Sequence, residues 1–562
     1  MLNFIIGRNN SGKTEKIRAL IAERASENKK CILIVPEQFS FESERSILEK
    51  IGAQKMLNVD ILSFTRLAFV INEQYGKALN KTIDDGTRKV LMSLSLEALS
   101  GKLEYFKRFS SKPALLSNLL TFVTELKQCA VTPDEIAEIS GKTGNKSLGK
   151  KLSELSLIAA SYDALVSRSF FDDENLLTIA ADMISETDFF DGKAVYFDAF
   201  CGFTKQERNC IKSILPKAEN VFISLCTDRD LSREGVSVFE NVNSEFSHLK
   251  ECAAEQNVGV SSPEILNVKE DGRSPELVYL EKYLCGEEFK PYKEECDNIV
   301  VCAAGNRADE ADFVACEIKK LLRCNPTLRC RNIAVIERTA GTYDKELSES
   351  FKKYGVPMFE DKRRPIGIQP VMVFVKCLLA LCAEGFSTES FMRLLKTGLT
   401  ALSGDEISEL ENYAFLWNID GSKWRRDFTE NPDGLGFDVT EKSQEKLIRL
   451  NDIRKRSVLP VLAFKKDFEE ADGEKKSRLI YEFLIKNGVT ERLREKIEYL
   501  VSSGDTVLCE EQDTVWATLM DMLGKMASAI GETVITAKRY SELFNILLSA
   551  VTLGSLPQEL DS

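Results

Sequence analysis

The chain's clearest chemical signal lies within its first fourteen residues. Gly7-Arg8-Asn9-Asn10-Ser11-Gly12-Lys13-Thr14 fits the pattern G-x-x-x-x-G-K-[ST]. Phosphates call for this layout because glycines let backbone N–H groups converge on the oxygens. The Lys13 ammonium can then reach the β and γ phosphates, and the Thr14 hydroxyl can ligate Mg²⁺. All eight residues are candidates for nucleotide binding, with ATP and Mg²⁺ as ligands. The alternative is a glycine-rich turn that has kept its fold and lost its ligand.

Hydrolysis of ATP needs a second part, an acid at a strand end that holds the metal, usually beside a carboxylate that activates water. Val195-Tyr196-Phe197-Asp198-Ala199-Phe200 supplies one acid on an apolar run. Asp198 is the candidate metal ligand alongside Thr14, or else a turn residue closing a strand. Ala199 stands where the second carboxylate is expected. Two further segments, Val35-Pro36-Glu37-Gln38-Phe39 and Leu62-Ser63-Phe64-Thr65-Arg66-Leu67, each follow a strand-like run, at the edge where open α/β sheets bind ligands. Gln38 is a candidate at the nucleotide. Ser63, Phe64 and Arg66 are candidates for holding a single DNA strand by phosphate contact and base stacking, although side chains such as Phe39 and Phe64 are more often core residues. A basic set, Lys423, Arg425, Arg426, Lys446, Arg449, Arg454, Lys455 and Arg456, suits a nucleic-acid backbone or a solvated helix face with interspersed acids.

The elements that must position these residues read as α/β. Leu2–Ile6 is a short buried strand and residues 15–25 a helix with Ile17, Leu20 and Ile21 at helical spacing. Cys31–Val35 is a second strand stopped by Pro36, and Val59–Phe64 a third, an order that predicts a parallel sheet. Leu-rich helical segments occupy 82–150, after which strand-like runs return at Ala194–Phe200 and Val221–Cys226. A second α/β layer is expected from strands Ile299–Ala303 and Ile333–Ile336 around a helix at Ala308–Leu322, and almost wholly helical chain beyond Pro370. The expected class is α/β, with parallel sheets of the P-loop NTPase type carrying large helical insertions.

Composition sets the outer limits. At 562 residues the chain exceeds what one hydrophobic core supports, so several domains are expected. Apolar residues at 43% and charged residues at 29% exclude wholesale disorder. The net charge of −13 gives bulk electrostatics no part in holding nucleic acid, leaving only local basic surfaces. The most apolar helical run, Val371–Cys382, is too short for a membrane span of roughly 20 residues. A start lacking a basic, cleavable leader points to the cytoplasm and to no membrane partner. The odd count of 15 cysteines, without C-x-x-C and with only one histidine, His248, argues against disulfides and against a metal cluster here.

In their order, the P-loop, Pro36-Glu37-Gln38, Ser63-Phe64-Thr65-Arg66-Leu67 and Asp198-Ala199-Phe200-Cys201-Gly202-Phe203-Thr204 resemble superfamily 1 helicases. The closest resemblance is to AddB subunits of AddAB helicase/nucleases. Ile333-Ala334-Val335-Ile336-Glu337-Arg338-Thr339 and Tyr354–Arg363 look like the second motor-like domain of that family, and Leu395–Leu399 and Leu410–Trp424 like its inserted helical domain. The resemblance implies domain 1A at 1–81 and 151–290, helical insertion 1B at 82–150, an incomplete domain 2A at 291–369 and helical insertion 2B at 370–562. It adds Arg338 as a nucleotide candidate and Phe203 and Thr204 as DNA candidates. The implied partners are an AddA-type helicase/nuclease subunit and DNA, as single strand and double-strand ends.

Active helicases of the superfamily carry Asp-Glu where this chain has Asp198-Ala199. They also carry a glutamine motif after the next strand, where this chain reads Cys226-Thr227-Asp228-Arg229. In the family AddA is the motor, which agrees with both departures. Family members are about twice as long and continue into a nuclease domain whose cysteines hold a 4Fe–4S cluster, neither of which is matched here. The chain accordingly reads as the front half of such a subunit, a fragment or truncated product. Two other functions fit parts of the pattern: an autonomous ATP-dependent DNA translocase, and a P-loop kinase for a small molecule.

Overall fold

The computed structural model describes residues 1–76, 83–107, 112–169, 173–227, 238–267, 273–284, 290–358, 363–503 and 506–554. Its centre is a six-stranded, all-parallel sheet: β1 (Leu2–Gly7), β2 (Cys31–Ile34), β3 (Val59–Leu62), β4 (Ala194–Phe197), β5 (Asn220–Cys226) and β6 (Glu264–Ile265). The strand order is β3-β2-β4-β5-β1-β6. Side chains alternate across it. Leu2, Phe4, Ile6, Ile32 and Ile34 enter the core on one face, and Ile5, Cys31 and Leu33 the core on the other. Burial on both faces explains why these strands read as unbroken apolar runs. Burial also pushes the Cys31 thiol up to about 11, so it stays protonated and packs as a small hydrophobe.

The segment between β3 and β4 is helical, as expected, but its boundary differs. The expected end at 150 falls inside the 24-residue helix Lys146–Ser169. That helix packs on Pro133–Lys142 and Asp85–Ala98 and so belongs with the insertion; the helix that returns to the sheet is Asp173–Glu186, against Phe64–Tyr75 and Lys205–Ile214. Beyond Pro370 the described residues are mostly helical to Ala550, with an irregular stretch at 426–440. Helix Ala537–Ala550 lies against Asp85–Ala98 so closely that a Cβ on Gly86 would sit 2.5 Å from the Leu547 side chain. Lys525 and Arg539 pair there with Asp84 and Glu97, at 2.7 and 2.9 Å.

The chain divides into two compact units. One comprises Met1–Ser232, Asn241–Val268 and Pro365–Thr552; the other Arg233–Glu240, Lys269–Arg364 and Leu553–Ser562. In the second unit, helix Arg307–Cys324 forms where expected and packs with Asp344–Tyr354 around Ala315, Ile318 and Phe351. The expected strands Ile299–Ala303 and Ile333–Ile336 do not form among the described residues. A strand exists only through hydrogen bonds to a neighbour, and here the apolar chains stay outside, with Val301 92% and Ile336 90% exposed.

In the helical part, Trp424 is fully buried against Phe391, and its indole N–H donates to the Thr388 hydroxyl at 2.9 Å. Trp424→Ala leaves a cavity and takes away the donor to the Thr388 hydroxyl, whose own O–H stays bonded to the Ile419 carbonyl. A loss of about 3–5 kcal/mol is expected in urea unfolding of the parent and variant chains. A loss under about 1 kcal/mol would show that the site collapses around the gap.

Candidate nucleotide-binding site

Because the sheet is parallel, the segments after β1, β2, β3, β4 and β5 gather on one edge. At the end of β1 the chain turns tightly. A Cβ on Gly7 would lie 2.3 Å from the Ser11 hydroxyl and 2.9 Å from the Leu266 carbonyl, so only glycine fits. Asn10 and Gly12 take left-handed backbone, with φ 62° and 85°. The loop feeds helix Lys13–Ser26, whose first turn has no side-chain cap. Its amide N–H groups and the positive end of its dipole face the loop, the arrangement that receives anions.

Lys13 folds back into this cradle. Its ammonium donates to the carbonyls of Gly7 and Arg8 at 2.8 Å each and to the Ser11 hydroxyl at 3.5 Å. An arriving phosphate competes with neutral carbonyls for this ammonium, and charge-assisted bonds are about twice as strong. The glycine-only turn, the uncapped helix start and the half-buried lysine fit a phosphate chain, with Thr14 on the first helical turn as the residue that would hold Mg²⁺.

Asp198 follows β4 and is buried, with its backbone N–H donating to the Ile34 carbonyl. Strand β5 lies between β4 and β1, so Asp198 stands two strand spacings, about 10 Å, from the P-loop strand. Ser224 on β5 donates its hydroxyl to the Asp198 carboxylate at 2.5 Å. This orients the acid and leaves its other oxygen for a metal shell. Sequence reasoning passed over Ser224, although a lone hydroxyl inside the run Val221–Cys226 was a signal.

Ala199 occupies the left-handed region at φ 65°, which costs a residue with a Cβ about 1–2 kcal/mol. It contributes no side-chain chemistry. Ala199→Gly removes that strain at a smaller cost in unfolded-chain entropy, so stability should rise by up to about 1 kcal/mol, read by thermal or urea unfolding. A loss of stability instead would mean that the methyl group packs usefully.

The other candidates divide. The Glu37 carboxylate accepts from the Ser63 hydroxyl at 3.2 Å, while Ser63 caps helix Phe64–Tyr75 through the Arg66 N–H, tying the turns after β2 and β3 together. Gln38 is exposed on the same edge, and Arg66 pairs with Glu44 at 3.4 Å on the surface. Phe64 and Phe203 are 6% and 7% exposed and pack with Phe197 and Phe200. As placed they hold the core and offer no face to a base. The Thr204 hydroxyl caps helix Lys205–Ile214 in a capping box with Glu207. Arg338 lies exposed in the second compact unit.

Of the motif after β5, Thr227 is buried with its hydroxyl on Asn243, while Asp228 and Arg229 lie outside the described residues. Half of the basic set is engaged by acids. Lys446 pairs with Asp433, Arg449 with Glu409, and Arg456 with Asp452 and Glu406. Arg454 is buried between Asp427 and the Trp424 carbonyl. Arg425, Arg426 and Lys455 are exposed, as is Lys423, which donates to the Asn418 carbonyl. Among the described residues no three His, Cys, Asp or Glu side chains gather as for a metal ion, and no helix is long and apolar enough to cross a membrane.

Comparison of the sequence with known proteins identifies relatives. Residues 4–281 match the family model described as ADDB, N-terminal. Over its full length the chain is 29% identical to the B subunit of the ATP-dependent helicase/deoxyribonuclease of Acetivibrio thermocellus, covering 50% of that protein. It is 29% identical to the protein of the same name from Thermoanaerobacter sp., covering 49%, and 28% identical to that of Clostridium botulinum, covering 50%. The chain thus spans about half the length of the curated relatives it matches.

Proposed function

Since the chain belongs, through residues 4–281, to the ADDB N-terminal family, we propose that it is the nucleotide-binding, DNA-engaging portion of a B-type subunit. The whole would be a two-subunit ATP-dependent helicase/deoxyribonuclease that processes double-strand breaks. The observation that carries this reading is a complete phosphate cradle beside an incomplete hydrolytic centre. Lys13 and the uncapped helix start are in place, while Asp198 is followed by Ala199, with no second carboxylate.

In this reading ATP supplies a phosphate chain and Mg²⁺ its counter-charge. Lys13 would hold the phosphate oxygens, Thr14 and Asp198 would hold the metal, and Ser224 fixes the Asp198 carboxylate. No group of this chain stands at Ala199 to take a proton from water. Nucleotide occupancy then works as a structural signal on the sheet edge, and the motor belongs to the companion subunit. The cytoplasm is the compartment in which such an enzyme meets chromosomal ends.

DNA engagement is tested by fluorescence anisotropy of a labelled single strand titrated with the chain at several salt concentrations. With a net charge of −13, binding must come from local Lys and Arg contacts that release counterions, so affinity should fall steeply as salt rises. No binding at low salt would remove the DNA part of the reading while leaving the nucleotide part standing.

A further inference from the structure

We propose that the surface where residues 101–107 lie along the start of helix Lys146–Ser169 holds the sugar–phosphate backbone of duplex DNA, without regard to sequence. The frame is firmly built. The buried Glu154 carboxylate accepts the backbone N–H groups of Glu104, Tyr105 and Phe106 at 2.8 to 3.3 Å, and the Tyr105 and Ser147 hydroxyls are bonded at 3.1 Å. Asn145 caps the helix, its side-chain oxygen accepting from the Ser147 and Leu148 N–H groups.

On this frame stand Lys102, Lys107, Lys146, Lys150 and Lys151, all exposed, and within 101–107 and 145–154 only Glu104 and Glu154 oppose them. Glu104 pairs with Lys150 at 3.2 Å, and Glu154 is turned inward to the three N–H groups. On the neighbouring helix Pro133–Lys142, Glu138 pairs with Lys142, while Asp134 and Glu135 lie in the first turn, level with Ser156. Lys102, Lys107, Lys146 and Lys151 therefore make no ion pair among the described residues. This is a local surplus of positive charge in a chain of net charge −13.

Fold stability does not ask for lysines here. A helix start carries partial positive charge, so acids in its first turn stabilise it and a cation works against it. Helix Pro133–Lys142 follows that rule with Asp134 and Glu135, whereas helix Lys146–Ser169 has no acid in its first turn and begins on Lys146. A polyanion supplies the missing negative charge. A duplex carries one charge per roughly 1.7 Å of its axis, and lysines can follow that backbone without reading bases. A single strand is held through successive stacked rings, and Tyr105, 43% exposed, is the one exposed ring beside these lysines among the described residues. That the polyanion is DNA rests on the DNA-engaging reading above.

The test titrates a labelled blunt-ended duplex with the chain, read by fluorescence anisotropy at several salt concentrations. Lys102→Gln/Lys107→Gln/Lys146→Gln/Lys151→Gln should weaken binding about tenfold or more at low salt. It should also flatten the fall of log affinity with log salt by about 3 to 4, since each lost phosphate contact removes roughly 0.9 from that slope. Its melting temperature should equal or slightly exceed the parent's, because all four side chains are exposed and Lys146 opposes the helix dipole. Arg425→Gln/Arg426→Gln/Lys442→Gln/Lys455→Gln removes the same charge from other exposed positions and should bind as the parent does. If the parent binds the duplex and the first variant matches it in affinity and slope, the duplex sits elsewhere, and the proposal falls while the DNA reading stands. An equal loss in the second variant would show that total charge alone matters, and would also overturn it. A parent that binds single strands but no duplex overturns the proposal alone; one that binds neither removes the DNA reading with it. Phosphatidylglycerol vesicles bound by the parent and not by the first variant, with duplex binding unchanged between them, would assign the surface to a membrane and sink the proposal.

Discussion

Lys13→Ala is expected to lower the affinity for Mg·ATP at least tenfold and up to several hundredfold while leaving the fold unchanged. The ammonium bonds only to loop carbonyls and one hydroxyl, so removing it leaves the cores on either side of the sheet untouched. Its loss deletes charge-assisted bonds to phosphate worth about 1.5–3 kcal/mol apiece, and each 1.4 kcal/mol is about a factor of ten in affinity. Gly7→Ala should act as strongly for a different reason, because the added methyl meets the Leu266 carbonyl as well as Ser11 and forces the cradle open. Calorimetric titration of parent and both variants reads the effect. Parent-like affinity in Lys13→Ala would remove nucleotide from the account.

The second large effect concerns rate. The parent chain should bind Mg·ATP yet turn it over about 10²–10⁴ times more slowly than a P-loop motor with a positioned general base, even with single-stranded DNA present. Asp198 is held by Ser224 and the backbone of β2 as a metal-binding acid should be, but Ala199 has nothing with which to accept a proton. Steady-state phosphate release with and without DNA is the measurement. Fast, DNA-stimulated turnover would mean that a group elsewhere in the chain fills the role.

Much of this site was legible in the sequence because its parts are local. Eight consecutive residues define the P-loop, and the strands that position it are apolar runs ended by Gly7, Pro36 and Asp198. What failed to show was non-local. Ile299–Ala303 and Ile333–Ile336 have the composition of buried strands, but pairing depends on a neighbour that composition does not reveal. Phe64 and Phe203 follow strands on the ligand edge, yet three-dimensional packing with Phe197 and Phe200 decides that they face inward. Arg454 sits in a basic run like its neighbours, and only the fold turns it toward Asp427 and the Trp424 carbonyl. The two-residue strand β6 is too short to leave a pattern. The left-handed backbone at Ala199 could not be foreseen, because alanine carries no preference for it.

The most direct test of the proposal that this chain holds ATP without hydrolysing it is a single-turnover experiment. The purified chain, in excess over labelled ATP, is mixed with Mg²⁺ and single-stranded DNA, filtered at intervals, and the retained nucleotide is identified. ATP retained intact on the parent chain for many minutes, and not retained by Lys13→Ala, is the predicted result. No retention of nucleotide by the parent, or its conversion to ADP within seconds, would contradict the account.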